Sequence, residues 1–446
     1  MSHLAVWGPL PPSPSGIADY QAEQLSELRR HFRLTVVLEE AGQRATADAQ
    51  GLAWATPENP PQADLHLYQL GNSPAHAYVY RAALQRPGVV LLHDLVLHHL
   101  VLHETVERGD PGAYLREMRR AHGERGSFMG RQIARALGGE LWPARFPLNE
   151  RVLEGSLAVV GLSQRVCREV APRLAGRPVL HLPHHLSLPL EPLPSRAEAR
   201  AALALPPEAP LVTAPGLATG AKRLDVAVRV VARLRARLPG LRLVVAGAVD
   251  PRLPLRRWAD EAGLGDGLLV TGRLALDDFA RHLLAADAVL ALRYPSHGEM
   301  SGALVRALGA GRPVLVTAGS PAAEDLPEGV VAPVEPGPLE AAQLEALLAR
   351  LLTDAGLAQR LGRLAAAHAR SQHDLSATVR RLAGFLEQVV AGRDELQAQV
   401  ARQQPPEGSL RAFLRDEVRW SAHELGLGGL DLGLDPLLSE LCGGAA

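Results

Sequence analysis

Twice over, the chain alternates short apolar runs rich in valine and leucine with longer stretches of helical periodicity, and no other feature constrains its fold as strongly. The first pass supplies candidate strands at 4–7, 34–38, 65–70, 88–93, 157–162 and 179–183, with helical patterns over 17–32 and 111–137. The second supplies strands at 211–214, 241–246, 268–272, 287–292, 313–317 and 330–334, with helices near 222–238, 252–263, 276–286, 302–310 and 339–352. A helix between two strands returns the chain to the starting end of the sheet, so such strands lie parallel and helices cover both faces. The expectation is an α/β protein of two lobes joined by a linker at 186–209 that is rich in proline and ends in a short helical patch, then a helical stretch at 357–391. A hinge at 403–408 and a tail over 409–446, with one helical pattern and a Gly/Leu-rich end, complete the chain. Open parallel sheets bind ligands beyond their strand C-termini, which makes the cleft between the lobes the expected site.

Composition removes several classes. A formal net charge of −1 and a pI near 7 argue against a dedicated nucleic-acid binder, which carries a basic excess. Cys167 and Cys442 are the only cysteines and form no CxxC pattern, so neither a disulfide framework nor a zinc site is expected. No basic segment followed by an apolar core opens the chain, and nowhere do 18 residues run apolar without a charge or a proline. The default location is therefore a reducing cytoplasm, with peripheral contact at the inner membrane face left open.

Lys222 is the only lysine in 446 residues, against 46 arginines. It follows an apolar run (211–214) and a loop holding Gly216 and Gly220, and it precedes a helical pattern at Leu224, Val228, Val231, Leu234 and Leu238. Strand, glycine loop and helix start together form an anion site from backbone N–H groups, and a compact ammonium suits a phosphate there. A second stretch, 292–313, has the same order of strand, polar loop and helix start. In it Ser301 and Gly302 place N–H groups at a helix N-terminus and Glu299 lies beside the opening turn, where sugar hydroxyls would find a carboxylate; plain helix capping by Glu299 and Ser301 is the alternative.

Four segments in order, GPLPPSPSGIADY (8–20), VVLLHDL (89–95), AKRLD (221–225) and RYPSHGEMSG (293–302), followed by ALGAGRPV, resemble the family 4 retaining glycosyltransferases. The resemblance spans roughly 4–390 and rests on the order and spacing of all four segments together. It implies the glycosyltransferase B fold of two facing Rossmann-like lobes. The implied division is an acceptor lobe over 1–185, a donor-nucleotide lobe over 210–370, a helix at 371–392 crossing back to the first lobe, and a tail of unassigned role at 393–446. The activity implied is metal-independent transfer from a nucleoside-diphosphate sugar, the co-substrate in place of any cofactor, to a glycan, lipid-linked or small-molecule acceptor. His93, Lys222 and Glu299 would carry the chemistry. Gly16, Gly216, Arg223, Arg293, Ser301, Gly302 and Arg306 would line the donor site.

This chain departs from the family pattern in two places. The usual pair of glutamates with seven residues between them would fall at 298 and 306; Gly298 holds the first position, one before Glu299, and Arg306 holds the second, where a ribose-holding carboxylate is expected. The arginine common shortly before the lysine is absent, with Leu217 and Ala218 there instead, so Arg223 or Arg293 becomes the substitute to test. His93, Asp94, His98, His99 and His103 are dense enough to raise a metal, but a strand end followed by a helix with surface histidines accounts for them, and none is assigned. Arginines at 116–135 suit either anionic lipid or a solvated face, the latter favoured in so arginine-rich a chain. Competing readings are a sugar-nucleotide 2-epimerase, whose acid/base pattern is not evident, and a binding or scaffolding subunit of a polysaccharide assembly complex. A nicotinamide dehydrogenase is disfavoured, because no G-x-G-x-x-G follows the first strand.

Overall fold

The structure, a computed structural model, describes residues 1–135, 137, 139, 141–403, 418 and 433. Two all-parallel sheets form. The first contains β1 (His3–Trp7), β2 (Arg33–Val37), β3 (Ala53–Ala55), β4 (Leu65–Leu70), β5 (Val89–Leu92), β6 (Ala158–Gly161) and β7 (Val179–His181), in the order β3-β2-β1-β4-β5-β6-β7. The second contains β8 (Leu211–Pro215), β9 (Arg242–Ala246), β10 (Leu268–Val270), β11 (Ala288–Ala291), β12 (Val314–Thr317) and β13 (Ala332–Val334), in the order β10-β9-β8-β11-β12-β13. In each sheet the chain starts in the middle, winds to one edge, then returns to the other side of its starting strand. The reversal lies between β1 and β4 in one sheet and between β8 and β11 in the other. Loops diverge at such points and leave a crevice at the strand C-termini, so four loops are marked out, those after β1, β4, β8 and β11.

Helices cover both faces, which is why the strands read as unbroken Val/Leu/Ala runs instead of alternating. One core gathers Trp7, Tyr68, Leu70, Val90 and Leu92 with the helix Ala77–Gln85; the other gathers Val212, Leu243, Val245 and Leu290 with the helix Leu224–Arg235. Each such side chain, fully buried, contributes about 1.5–3 kcal/mol, which fixes the strand ends that the loops hang from.

Four details differ from expectation. The edge strand β3 is only three residues long and largely exposed, too short to leave a pattern. The arginine-rich helix runs Pro111–Ala134 and breaks its geometry at Gly123 (φ 59°). Within the expected linker, Ser195 and Glu198 form a capping box that starts the helix Arg196–Ala202, and buried Arg200 reaches Asp287 at 2.7 Å, so this half of the linker folds with the second sheet. The stretch 357–391 is two helices, Ala355–Gln372 and Leu375–Ala391. The His373 carbonyl leaves the helix to accept from Leu186 N at 2.6 Å, and Asp374 restarts it by accepting from Ala377 N at 2.7 Å.

The second of these helices packs on the first-lobe helix Gly16–Leu28, where Ser376 Oγ donates to Glu27 Oε2 at 3.1 Å. From residue 392 a separate unit begins, whose described residues include the helix Arg393–Gln403; the tail expected over 409–446, Cys442 included, lies outside the described residues except for two isolated positions. No described helix is long and apolar enough to cross a membrane.

Candidate active site

The loop after β8 is built around its lysine. Gly216 takes φ +79°, and a Cβ there would stand 3.2 Å from the Lys222 ammonium, so the glycine both permits the turn and makes room for the cation. One 3₁₀ turn, Gly220–Lys222, brings Nζ back to donate to the Pro215 carbonyl at the strand end. Tyr294 N donates to Ala221 O at 2.7 Å and joins this loop to the one after β11. Burial, and then the nearby charge of Arg293, push the lysine pKa down to about 7. Arg223 points elsewhere: its left-handed backbone (φ 55°) starts the next helix, and its guanidinium grips buried Glu340 at 2.5–3.1 Å. Of the two arginines considered as substitutes, only Arg293 acts on the lysine.

In the loop after β11, Arg293 N donates to Thr317 Oγ1 at 2.8 Å, and its guanidinium lies 2.6 Å from Glu299 Oε1. Glu299 Oε2 accepts from His297 N at 2.6 Å and Ser296 Oγ at 3.3 Å, so this carboxylate organises its own loop and does not cap the helix. Ser301 does the capping, accepting from Leu304 N at 3.4 Å, and Gly302 opens the helix Gly302–Gly309. That start is pressed against the first lobe: a Cβ at Gly302 would fall 2.8 Å from His184 Nε2. Leu95 N and Val96 N donate to His297 O at 2.9 and 3.2 Å, and a Cβ at Gly298 would meet the Leu95 Cβ at 2.6 Å. The loop after β5 therefore seats directly on the loop that carries Glu299.

The first-lobe wall carries a neutral polar chain at the end of β5. His93, at the end of β5, faces Gln69 Oε1 at 2.8 Å; Gln69 donates to Gln24 Oε1 at 2.7 Å, and Gln24 donates to the Tyr20 hydroxyl at 3.1 Å. Burial, then the neighbouring His76 and His185, hold the His93 pKa well below its ordinary range, so the ring is neutral. With Gln69 oriented by its own donation, the His93 proton belongs on Nε2 and leaves Nδ1 an acceptor. Asp94 follows, accepting from Asn72 N at 2.9 Å, with its pKa raised by burial and by facing Glu299. Gly16 begins its helix with Ser15 as cap and open space where a side chain would be. A cavity of 370 Å³ lies between Asp19 and the segment Arg273–Leu276.

Arg306 is engaged by the first lobe and the linker. Its guanidinium lies 2.7 Å from Glu23 Oε1 and donates to Ser187 O at 3.0 Å, and the residue is 7 % exposed. The structure thus brings Lys222, Gly216, Arg293, Glu299, Ser301 and Gly302 together, sets His93 and Gly16 on the opposing wall, turns Arg223 to Glu340, and ties Arg306 to Glu23 beside Gly302. The dense histidines diverge. His98 turns to Phe146 O and Tyr114, His99 to Asn72 and His103 to Glu107, and among the described residues no three His, Cys, Asp or Glu converge on one point. Sequence reasoning missed Gln69, Glu23 and His185. The spacing Gly16, Tyr20, Glu23 (i, i+4, i+7) does place those three on one helix face and is the signal that was there to read.

Residues 195–368 match the family described as Glycosyl transferases group 1. No curated protein is similar in sequence. Among solved structures, Anabaena HepE in complex with UDP and glucose superposes with a TM-score of 0.61 at 15% identity, covering 87% of this chain and 100% of that one. Sucrose-phosphate synthase from Thermosynechococcus elongatus gives 0.58 at 16% identity, covering 88% and 100%. WaaG, a glycosyltransferase involved in lipopolysaccharide biosynthesis, gives 0.55 at 18% identity, covering 86% and 99%. The fold is that of the glycosyltransferase B proteins.

Proposed function

We propose that the protein is a retaining, metal-independent glycosyltransferase that moves a sugar from a nucleoside-diphosphate donor to a glycan, lipid-linked or small-molecule acceptor. The observation that carries this is the sole lysine, held between the ends of β8 and β11 beside Arg293 and the start of the helix Gly302–Gly309. Breaking a glycosyl phosphate bond leaves a diphosphate whose growing charge must be met by donors already in place. Lys222, Arg293 and the first amides of that helix are such donors, and their cationic charge does the work a metal would otherwise do. Lys222 binds the leaving diphosphate as the ammonium, and the anion itself raises the lysine pKa from its depressed free value.

On the other wall His93 Nδ1, an acceptor while Nε2 donates to Gln69, receives a hydroxyl of the sugar being transferred. The neutral chain His93–Gln69–Gln24–Tyr20 keeps this wall from competing with Lys222 for the phosphates. In retention, the acceptor oxygen attacks the anomeric carbon on the face the diphosphate leaves, and the departing phosphate oxygen takes the acceptor's proton. Complexes of HepE with UDP and glucose and with UDP-glucose support a uridine donor as the first to try.

A screen of UDP-, GDP- and ADP-sugars by donor hydrolysis and thermal shift tests the reading. Turnover with one of them, lost in Lys222→Ala with the melting temperature kept, is the expected result. Neither stabilisation nor turnover with any donor would leave the scaffolding reading, for which Arg306 at the ribose position is the favouring observation.

A further inference from the structure

Two ionic contacts between the lobes of residues 1–391 contrast in burial. At one rim, Arg165 and Arg168 reach Glu324, pairs whose side chains remain 30% or more exposed. Solvated pairs of this sort hold little. The second ionic contact is buried. Glu23, on the first-lobe helix Gly16–Leu28, binds Arg306 of the second lobe through Oε1 at 2.7 Å and His185 through Oε2 at 2.8 Å, with side-chain exposures of 15%, 8% and 1%. His185 in turn stacks on Tyr20 at 4.3 Å, whose ring meets His93 and His184 edge-on at 4.9 and 4.7 Å. Burial would raise the Glu23 pKa, but the His185 hydrogen bond and the Arg306 charge outweigh it and leave the carboxylate ionised.

We propose that Glu23 is a positioning residue for the transfer, acting through Arg306 to hold the helix Gly302–Gly309 and its opening amides against the first-lobe wall. The inference rests on the reading that the donor diphosphate lies at that helix start. Arg306 stands one helical turn beyond Gly302, and Gly302 abuts His184, so whatever pulls on Arg306 sets where the first amides point. Two charges so far removed from water are tolerable only while they face each other. While the lobes are together, each charge fixes the place of the other, and removing or reversing one leaves its partner buried without a counter-charge. The arginine at 306 then has its reason: a glutamate there would face Glu23 with like charge.

Charge reversal tests this. Glu23→Arg and Arg306→Glu are each expected to lower kcat by about tenfold or more, while the Kd for the nucleoside diphosphate changes by less than about threefold. The double variant Glu23→Arg/Arg306→Glu is expected to recover at least about a third of kcat, as a double-mutant cycle requires for a direct pair. Hydrogen exchange at 302–309 should quicken in each single variant and slow again in the double. Single variants with unchanged kcat and exchange would overturn the proposal, as would a folded double variant in which neither recovers. If the wild type transfers from no donor, the proposed function fails, and exchange with the small-angle scattering radius still decides the positioning: a radius that grows in Glu23→Arg and shrinks again in the double variant upholds it, and an unchanged radius and exchange refute it.

Discussion

The two walls of the cleft differ in kind. The second-lobe wall is ionic: Lys222, Arg293 and Glu299 crowd at the ends of β8 and β11, with the lysine destabilised as a cation by burial and by Arg293. The first-lobe wall carries a neutral relay, His93 to Gln69 to Gln24 to Tyr20, whose imidazole is kept uncharged. Charge is placed where a charged group would depart, and neutral donors and acceptors where hydroxyls would be held. Each demands a different physical device: an anion site needs unpaired cationic potential, whereas a hydroxyl site needs a fixed tautomer.

The sharpest way to break this contrast is to neutralise the ionic wall. Lys222→Ala should lower kcat by about a thousandfold at an unchanged melting temperature, since one preorganised donor to a developing anion is worth about 10²–10³. Initial-rate kinetics at saturating donor would show it, and a loss under tenfold would move the diphosphate elsewhere. Arg293→Ala should cost about a hundredfold in kcat/KM, mostly through a raised donor KM, because it removes a cation and releases Glu299.

The neutral wall should respond differently. Gln69→Leu removes the partner that fixes the His93 tautomer and should lower kcat by about tenfold, with the Kd for the free nucleoside diphosphate unaltered, as expected of a group that never meets the phosphates. Calorimetry would detect a shift in that Kd and dissolve the distinction between the walls.

The depressed lysine pKa makes a pH prediction with a definite sign. Lys222 is an ammonium below its free value of about 7 and neutral above it, so affinity for a nucleoside diphosphate should weaken as pH rises from 7 towards 9. The slope should approach about tenfold per pH unit and vanish in Lys222→Met. Calorimetric titrations at several pH values would measure it. Arg223→Ala should have the smallest effect on binding. It should instead cost about 3 kcal/mol of stability by leaving Glu340, 2% exposed, without its cation, a loss visible in urea denaturation.

Much of this was legible in the residues. The strand–glycine–lysine–helix order at 211–225 placed Lys222 at a sheet's C-terminal edge, and the polar loop at 293–302 placed Glu299 and Ser301 near it, because hydrophobic period and turn chemistry are local. Roles within those loops were less legible. Glu299 and Ser301 are two residues apart and both suit a helix start, yet only Ser301 caps; the Glu299 carboxylate is claimed by Arg293 and by the amide of His297. Arg223 and Arg293 read alike until Glu340, more than a hundred positions on, claimed one of them.

The sequence by itself determined the two parallel sheets and the lysine's place, since periods of two and 3.6 residues and a glycine's backbone freedom act over a few neighbours. Tertiary structure alone decided which charges meet. Glu23 and Arg306 stand 283 residues apart, and nothing local couples them. They pair because two independently wound sheets present one face of one helix each to a common interface, and at that interface burying either charge requires the other.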